Sequence, residues 1–371
     1  MNKIIGLLGH SFLYPASIGY RLMAAGRNLL YDVGLLQTNQ VPVPIICVGN
    51  LTVGGTGKTP MVSWLTDYLS QQGKKVGILT RGYKRRGSQK PLLLLPDEEN
   101  KHKVSELGDE AAMLHARHPQ AALALDIDRS RGAKAICSRW QPDILIMDDG
   151  FQHHRLQRSL NIVMIDSQRL FGNGLLLPAG PLREPISALQ RADLAVFNKF
   201  DAHHPFFAKK SRRVFNYISP ERLFTASYQI HSLHDIKHPS QHLSVGQLQG
   251  KKVLAFAGIA NPDYFFQQLE TLGIKLQNTI SFTDHTDYKL KNLEKISQAA
   301  TGCQLAVTTA KDAVKIAEIP KTQHLLPALL VTDIDVQIEP QSRFIELIES
   351  RLAMNDNHRE GHILNTQRYE L

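Results

Sequence analysis

A mainly parallel α/β sheet with helices on both faces is the fold class that this chain predicts, with a second, smaller α/β domain and an amphipathic N-terminal helix. Three observations predict it. Short apolar, β-branched runs alternate with stretches of helical periodicity, several of those runs end in small or acidic residues, and one feeds a glycine-rich loop that opens into a helix. With 371 residues and 43% apolar content, the chain is long enough for two domains or for one large domain with an appendage.

The first element is helical. From Pro15 onward, Ile18, Leu22, Ala25 and Leu29 fall on one face, with Arg21 and Asn28 away from it. Residues 4–20 carry no Lys, Arg, Asp or Glu, but the run is short of the roughly 20 apolar residues that a membrane span requires. His10, Pro15 and several glycines also interrupt it. A secretory leader fits poorly, because Arg21 and Arg27 flank the only small-residue cluster, Ala24-Ala25-Gly26. The helix is expected either to lie in a membrane interface, cations toward the headgroups, or to pack on its own domain; periodicity does not choose.

Residues 43–48 form the first buried strand, and Thr52-Val53-Gly54-Gly55-Thr56-Gly57-Lys58-Thr59 follows it as a phosphate-binding loop. Met61, Leu65, Tyr68 and Leu69 then recur at helical spacing until Gly73. Glycines there let backbone N–H groups close around phosphate oxygens at a helix N-terminus; Lys58 can reach the β- and γ-phosphates and the Thr59 hydroxyl can ligate magnesium. Thr52 stands where the usual pattern has Gly.

Further strands are expected at residues 76–80, 121–125, 144–147, 162–165 and 194–197. They put Arg81-Gly82-Tyr83 and Asp148-Asp149-Gly150 at carboxyl ends of strands, where open α/β sheets bind ligands. The run 144–147 followed by two carboxylates has the form of a Walker B element. Asp148 is the metal candidate opposite Thr59, and Asp149 is placed to orient water or a neighbouring base. Asp109-Glu110 opens a helix, where acidic residues serve the helix dipole or, in a phosphotransferase, accept a hydroxyl proton. Asp284-His285 is a second candidate pair, because imidazole can orient a carboxylate from across a cleft. Arg129 and Arg131 either neutralise transferred phosphoryl charge or simply begin a solvated helix.

The basic segment 209–213 marks a boundary, after which a second α/β series runs through strands at 253–257, near 305–308 and at 328–331. Asn261-Pro262 caps a helix within it. The expected division is 1–40 for the N-terminal helix region, 41–212 for the phosphate-loop core, 213–353 for the second domain and 354–371 for a polar, frayed tail.

The formal charge of +9 implies an anionic partner but does not choose among lipid, phosphorylated substrate and nucleic acid. Only charge supports a nucleic-acid-dependent ATPase. Three scattered cysteines make no disulfide framework and favour a reducing compartment. His153-His154 and His203-His204 lack a third ligand at metal-like spacing, so zinc is not expected from them. Asn198-Lys199-Phe200-Asp201 matches the guanine-reading motif of GTPases and supports the competing reading, a GTP-dependent switch or metallochaperone. The switch motif Asp-x-x-Gly is missing after the second acidic strand, where the chain reads Asp148-Asp149-Gly150-Phe151.

Several stretches together resemble the tetraacyldisaccharide 4'-kinases of lipid A biosynthesis. They are residues 42–60, Arg81-Gly82-Tyr83, Gly108-Asp109-Glu110, 148–153, Gly172-Asn173-Gly174, 178–184, 282–285 and 308–315. Thr52 is that family's own variant of the loop; Ala111 and Thr283 stand where relatives commonly have Pro. The resemblance implies ATP- and magnesium-dependent phosphorylation of the 4'-hydroxyl of a tetraacylated glucosamine disaccharide 1-phosphate, at the cytoplasmic face of the inner membrane. It implies Asp109 as base with His285 as partner, Lys58 and Arg129 on the phosphoryl group, and residues 52–59 on ATP. By the same resemblance Thr59, Asp148 and Glu110 serve magnesium, and Tyr83, Asp149, Arg183 and Glu184 contact the acceptor. The lipid precursor and a membrane surface are the expected partners, with no nucleic acid and a monomeric chain.

Overall fold

The computed structural model describes residues 2–82, 90–96, 98–99, 102–199, 207–319 and 327–367. Helix α1 (Asn2–Asp32) precedes β1 (Ile45–Gly49), α2 (Lys58–Gln71), β2 (Val76–Thr80), β3 (Leu92–Leu94), α3 (Val104–Leu107), α4 (Asp109–Arg117) and β4 (Ala122–Leu125). Next come α5 (Arg129–Trp140), β5 (Ile144–Asp148), β6 (Leu160–Asp166), β7 (Leu194–Asn198), α6 (Phe207–Phe215), β8 (Leu223–Asp235) and β9 (His238–Ser244). The chain continues through β10 (Val253–Ala257), α7 (Pro262–Thr271), β11 (Leu276–Ser281), α8 (Leu290–Ala299), β12 (Leu305–Thr309), α9 (Ala310–Ala317), β13 (Ala328–Glu339) and α10 (Gln341–Gln367).

The mostly parallel α/β architecture is borne out. Strand β1 shows why its residues form a central strand: period-2 alternation sends Ile46 and Val48 to one face and Ile45 and Cys47 to the other, and all four are buried. On the first face Met61, Val62, Leu65 and Leu69 of α2 pack against them; on the second, Ala133 and Ile136 of α5 close the core. Each such Leu contributes a few kcal/mol, since Leu→Ala in a packed core costs about 2–5 kcal/mol. Parallel pairing runs β7-β6-β1-β5-β2-β4, which brings the carboxyl ends of β1, β2 and β5 to one edge.

The second α/β series is not a separate sheet. Strand β8 pairs parallel with β7 over its first four residues, and antiparallel with β13 from Thr225↔Glu339 to Asp235↔Leu330. That pair splices β12, β10 and β11 onto the first half, giving one 13-stranded sheet. The expected strand at 328–331 thus runs on to Glu339. Its extension, Ile334 to Ile338, alternates apolar and polar as a half-buried antiparallel strand does, and Val336 and Ile338 cover Phe344 and Ile348 of α10. A search for continuous apolar runs overlooks that pattern. Helix α10 carries the polar segment from 354 on to Gln367.

Candidate active site

The phosphate loop is held from three sides. Val53 N–H donates to the Pro181 carbonyl (2.8 Å) and Thr52 bridges to Leu182, so the 178–184 segment braces the loop's entry. The Asn50 amide donates to the Thr52 carbonyl and to the Thr56 hydroxyl, both at 2.7 Å. From the far side, the Asn198 amide donates to the Thr56 carbonyl and the Tyr228 hydroxyl to the Gly57 carbonyl (3.0 Å). Gly57 has φ 73°, a left-handed conformation, and a Cβ there would collide with Tyr228 and Asn198. Among the described residues no side chain caps the start of α2, so its first N–H groups stay open to an anion, with Lys58 in the first turn.

A cleft of about 1010 Å³ opens over this loop. Asp148, at the end of β5, and Asp149 lie opposite; Lys58 Nζ is 3.5 Å from Asp149 Oδ1, and Arg183 Nη1 donates to both Asp149 oxygens at 2.9 Å. Burial opposes the Asp149 charge, but Lys58 and Arg183 outweigh it and hold its carboxyl below the usual range. Asp148 behaves oppositely. Burial, reinforced by the nearby Glu110 charge, pushes it up to about 7 despite Lys58, and its Oδ1 accepts no hydrogen bond from the described residues. A buried carboxylate oxygen with no protein donor beside a second carboxylate is an environment that a divalent cation relieves, and Thr59 lines the same wall.

On the other wall, Asp109 begins α4 and His285 lies in the loop after β11. His285 Nδ1 is 2.8 Å from Asp109 Oδ2, a hydrogen bond that joins the two halves of the sheet. Lys311, in the first turn of α9, reaches Asp284 (3.1 Å), Glu110 (3.7 Å) and Asp109 (3.8 Å), and Lys315 also lies 3.8 Å from Asp109. Burial works against the Asp109 charge; Lys311, His285 and Lys315 together overcome it, so its carboxyl titrates below the ordinary carboxylate range. A carboxylate kept ionised and bonded to an imidazole that lines the cleft is suited to accept a hydroxyl proton.

The structure therefore brings together residues 53–59, Glu110, Arg129, Asp148, Asp149, Arg183 and His285 along the cleft, with Asp109 bonded to His285 behind. Arg129 is buried and donates to the Ile127 carbonyl (3.1 Å), while its Nε has no partner among the described residues. Tyr83 lies outside the described residues. Glu184 does not line the cleft: it is fully buried and bonded to Arg191 (2.6 Å), with Asn28 (3.1 Å) and Gln152 (3.4 Å) also donating to it. Asn198 and Lys199, half of the guanine-reading match, are engaged in bracing the loop and in an ion pair with Asp166 (2.8 Å); Phe200 and Asp201 lie outside the described residues.

Residue-level reading did not single out Lys311, Lys315, Tyr228 or Asn50. Lys311 and Lys315 fall in the 308–315 stretch that carries the resemblance, and their four-residue spacing on a helix was the available signal. Helix α1 forms the remaining wall. Tyr20 donates to the Arg183 carbonyl (3.0 Å) and Ser17 to the Leu176 carbonyl (2.9 Å), so this side of α1 faces the protein. Ile18, Leu22, Met23 and Leu29 stay exposed, Leu22 and Met23 at 68% each.

The profile of the family described as Tetraacyldisaccharide-1-P 4'-kinase matches residues 9–353. A tetraacyldisaccharide 4'-kinase of Geobacter metallireducens is 36% identical over 314 residues, covering 83% of this chain and 89% of its own length. One of Vibrio parahaemolyticus is 35% identical over 306 residues, covering 82% and 83%. The crystal structure of an "apo" form of LpxK from Aquifex aeolicus in complex with ATP superposes with a TM-score of 0.76 at 31% identity, covering 92% of this chain and 99% of that one. A match that takes in both halves of the sheet, and so both walls of the cleft, is one of the whole architecture, and the chain belongs to the tetraacyldisaccharide-1-P 4'-kinase family.

Proposed function

We propose that this kinase transfers the γ-phosphoryl group of ATP to the 4'-hydroxyl of a tetraacylated glucosamine disaccharide 1-phosphate, the lipid A precursor, forming lipid IVA. The observation that carries this reading is the Asp109–His285 hydrogen bond of 2.8 Å, which ties an Asp109 carboxylate held below its usual range by Lys311, His285 and Lys315 to the wall of the cleft over the phosphate loop. The ATP phosphates rest on the open N-terminus of α2 with Lys58 among them. Asp109, oriented by His285, takes the proton of the 4'-hydroxyl as its oxygen bonds to phosphorus and the bond to ADP breaks. The loose transition state of phosphoryl transfer asks more for placement than for a strong base, which suits a carboxyl held below its usual range. Lys58 and Arg129 stabilise charge on the moving group. Thr59, Asp148 and Glu110 would hold magnesium, for which the Asp148 oxygen without a donor among the described residues argues. When bound, the ion neutralises charge on the phosphate oxygens. Arg183, Asp149 and Tyr83 contact the acceptor.

The acceptor carries four acyl chains, and the apolar outer side of α1 suits it. Among the described residues no helix is long and apolar enough to cross a membrane. With Ile18, Leu22 and Leu29 outward and Tyr20 and Arg27 lining the cleft, α1 lies in the interface and admits the headgroup while the chains stay in lipid. ATP supply sets this at the cytoplasmic face of the inner membrane, with the chain acting as a monomer. The test is transfer of labelled phosphate from ATP to the disaccharide precursor in detergent. Asp109→Ala should lose about 10²–10⁴-fold in turnover while still binding ATP; undiminished turnover removes Asp109 from its role.

A further inference from the structure

Away from the cleft, one cluster of ligating side chains takes no part in phosphoryl transfer. Ser232 and His234 lie on β8, His242 on β9 and Asp333 on β13. Register sets His234 opposite His242 and Ser232 opposite Asp333, so alternation sends all four side chains to one face of three adjacent strands. The Asp333 carboxylate sits between the imidazoles, with His234 Nδ1 3.0 Å from Oδ1 and His242 Nδ1 3.1 Å from Oδ2. The Ser232 hydroxyl donates to Oδ2 at 2.8 Å. His234 and Asp333 are each 17% exposed and His242 is 57% exposed, which leaves the group dry at its base and open on one side.

We propose that His234, His242 and Asp333 form a binding site for a divalent transition-metal ion of the zinc class, separate from the phosphoryl-transfer centre. One ligand atom from each residue lies within 4.8 Å of the others. Ligands at about 2.0–2.2 Å from a single tetrahedral zinc ion stand roughly 3.3–3.6 Å apart, a spacing that side-chain rotations about the present contacts of 3.0 and 3.1 Å would reach. Two imidazoles with one carboxylate select zinc, cobalt or nickel over magnesium and calcium, which take oxygen donors. The Asp333 carboxylate offers the oxygen ligand, within 3.0 Å of His234 Nδ1 and 3.1 Å of His242 Nδ1. The Ser232 hydroxyl fixes the carboxylate as an outer partner, and the open side admits water as the fourth ligand. Without metal the same atoms keep the cluster closed by hydrogen bonds, so the site is preformed. An ion here clips β9 to the β8–β13 ribbon that joins the two halves, next to Ile334 on the cleft wall.

The test uses the full chain stripped with a chelator, titrated with zinc against a chromophoric competitor without ATP or magnesium. Wild type should bind one equivalent and gain thermal stability, since the three ligands are brought together by strand pairing in the folded state. His242→Ala, a change on an exposed strand, should weaken binding roughly tenfold or more and abolish the thermal gain. Asp333→Asn should do the same, and Asp148→Asn should bind zinc as wild type does. Equal affinity in His242→Ala, or loss of the bound ion in Asp148→Asn, which would put it in the cleft, overturns the proposal.

Discussion

Replacing Glu184 with glutamine keeps the shape of a fully buried side chain and removes its charge from the centre of a network. The carboxylate is 2.6 Å from Arg191, accepts from Asn28 of α1 at 3.1 Å and lies 3.6 Å from His154. Burial alone would raise its pKa; the bonds from His154 and Arg191 more than reverse that and hold it at about 2, against an ordinary 4.5. A depression of that size corresponds to about 3 kcal/mol of stability at neutral pH. Spread over 371 residues at about 2.1 cal/mol/K each, this is a fall in Tm of roughly 4 °C. The folded pKa is the depressed one, so the contribution is complete above about 4.5 and is lost as pH falls toward 2. Thermal unfolding across acid pH should therefore show wild type above Glu184→Gln at neutral pH, with the gap closing below about pH 4.5. The variant should also release α1, its Asn28 contact weakened, to limited proteolysis. An unchanged Tm at neutral pH together with a raised KM for the lipid acceptor would make Glu184 a headgroup contact after all.

Three further outcomes are expected. Gly57→Ala forces a left-handed residue with a Cβ into Tyr228 and Asn198, and should weaken ATP binding about tenfold or more in a nucleotide titration; wild-type affinity would contradict the loop geometry. Lys311→Met removes the strongest of the charges that offset burial of Asp109, so the Asp109 pKa rises and fewer molecules carry the ionised base at acid pH. The low-pH limb of kcat/KM should move to higher pH, and an unmoved limb excludes Lys311 from holding the base. Leu22→Glu with Met23→Glu alters two residues that are each 68% exposed, and should weaken binding to anionic vesicles at least about tenfold with no change in Tm. Undiminished vesicle binding counts against α1 as the interfacial element.

The phosphate loop was legible because every part of it is local: a strand, glycines, Lys58 and a helix occur in a fixed order, and the chemistry follows from that order. The strand ending in Asp148 was legible for the same reason. Strand β8 and the second half of β13 were not, because alternating sequences such as Thr225 to Ile230 bury one face only and resemble amphipathic surface as much as sheet. The burial of Glu184 was not legible because its sequence position, beside Arg183 in a motif-rich loop, says nothing about which side of the backbone each residue takes. Arg183 turns into the cleft onto Asp149 and Glu184 turns away onto Arg191. Lys311 stayed unremarked because its partners Asp109 and Asp284 are distant in sequence.

By itself the sequence determined the α/β class, the phosphate loop, the acidic strand end and the apolar stripe of the first helix, all of which are set by spacing within about twenty residues of chain. Only the tertiary structure decided that β8 and β13 fuse two series of strands into one sheet, that His285 meets Asp109 across 176 positions, and that the stripe of α1 faces outward. These depend on strand pairing and packing between distant segments, whose energies arise from the burial and charges of partners that no local window contains.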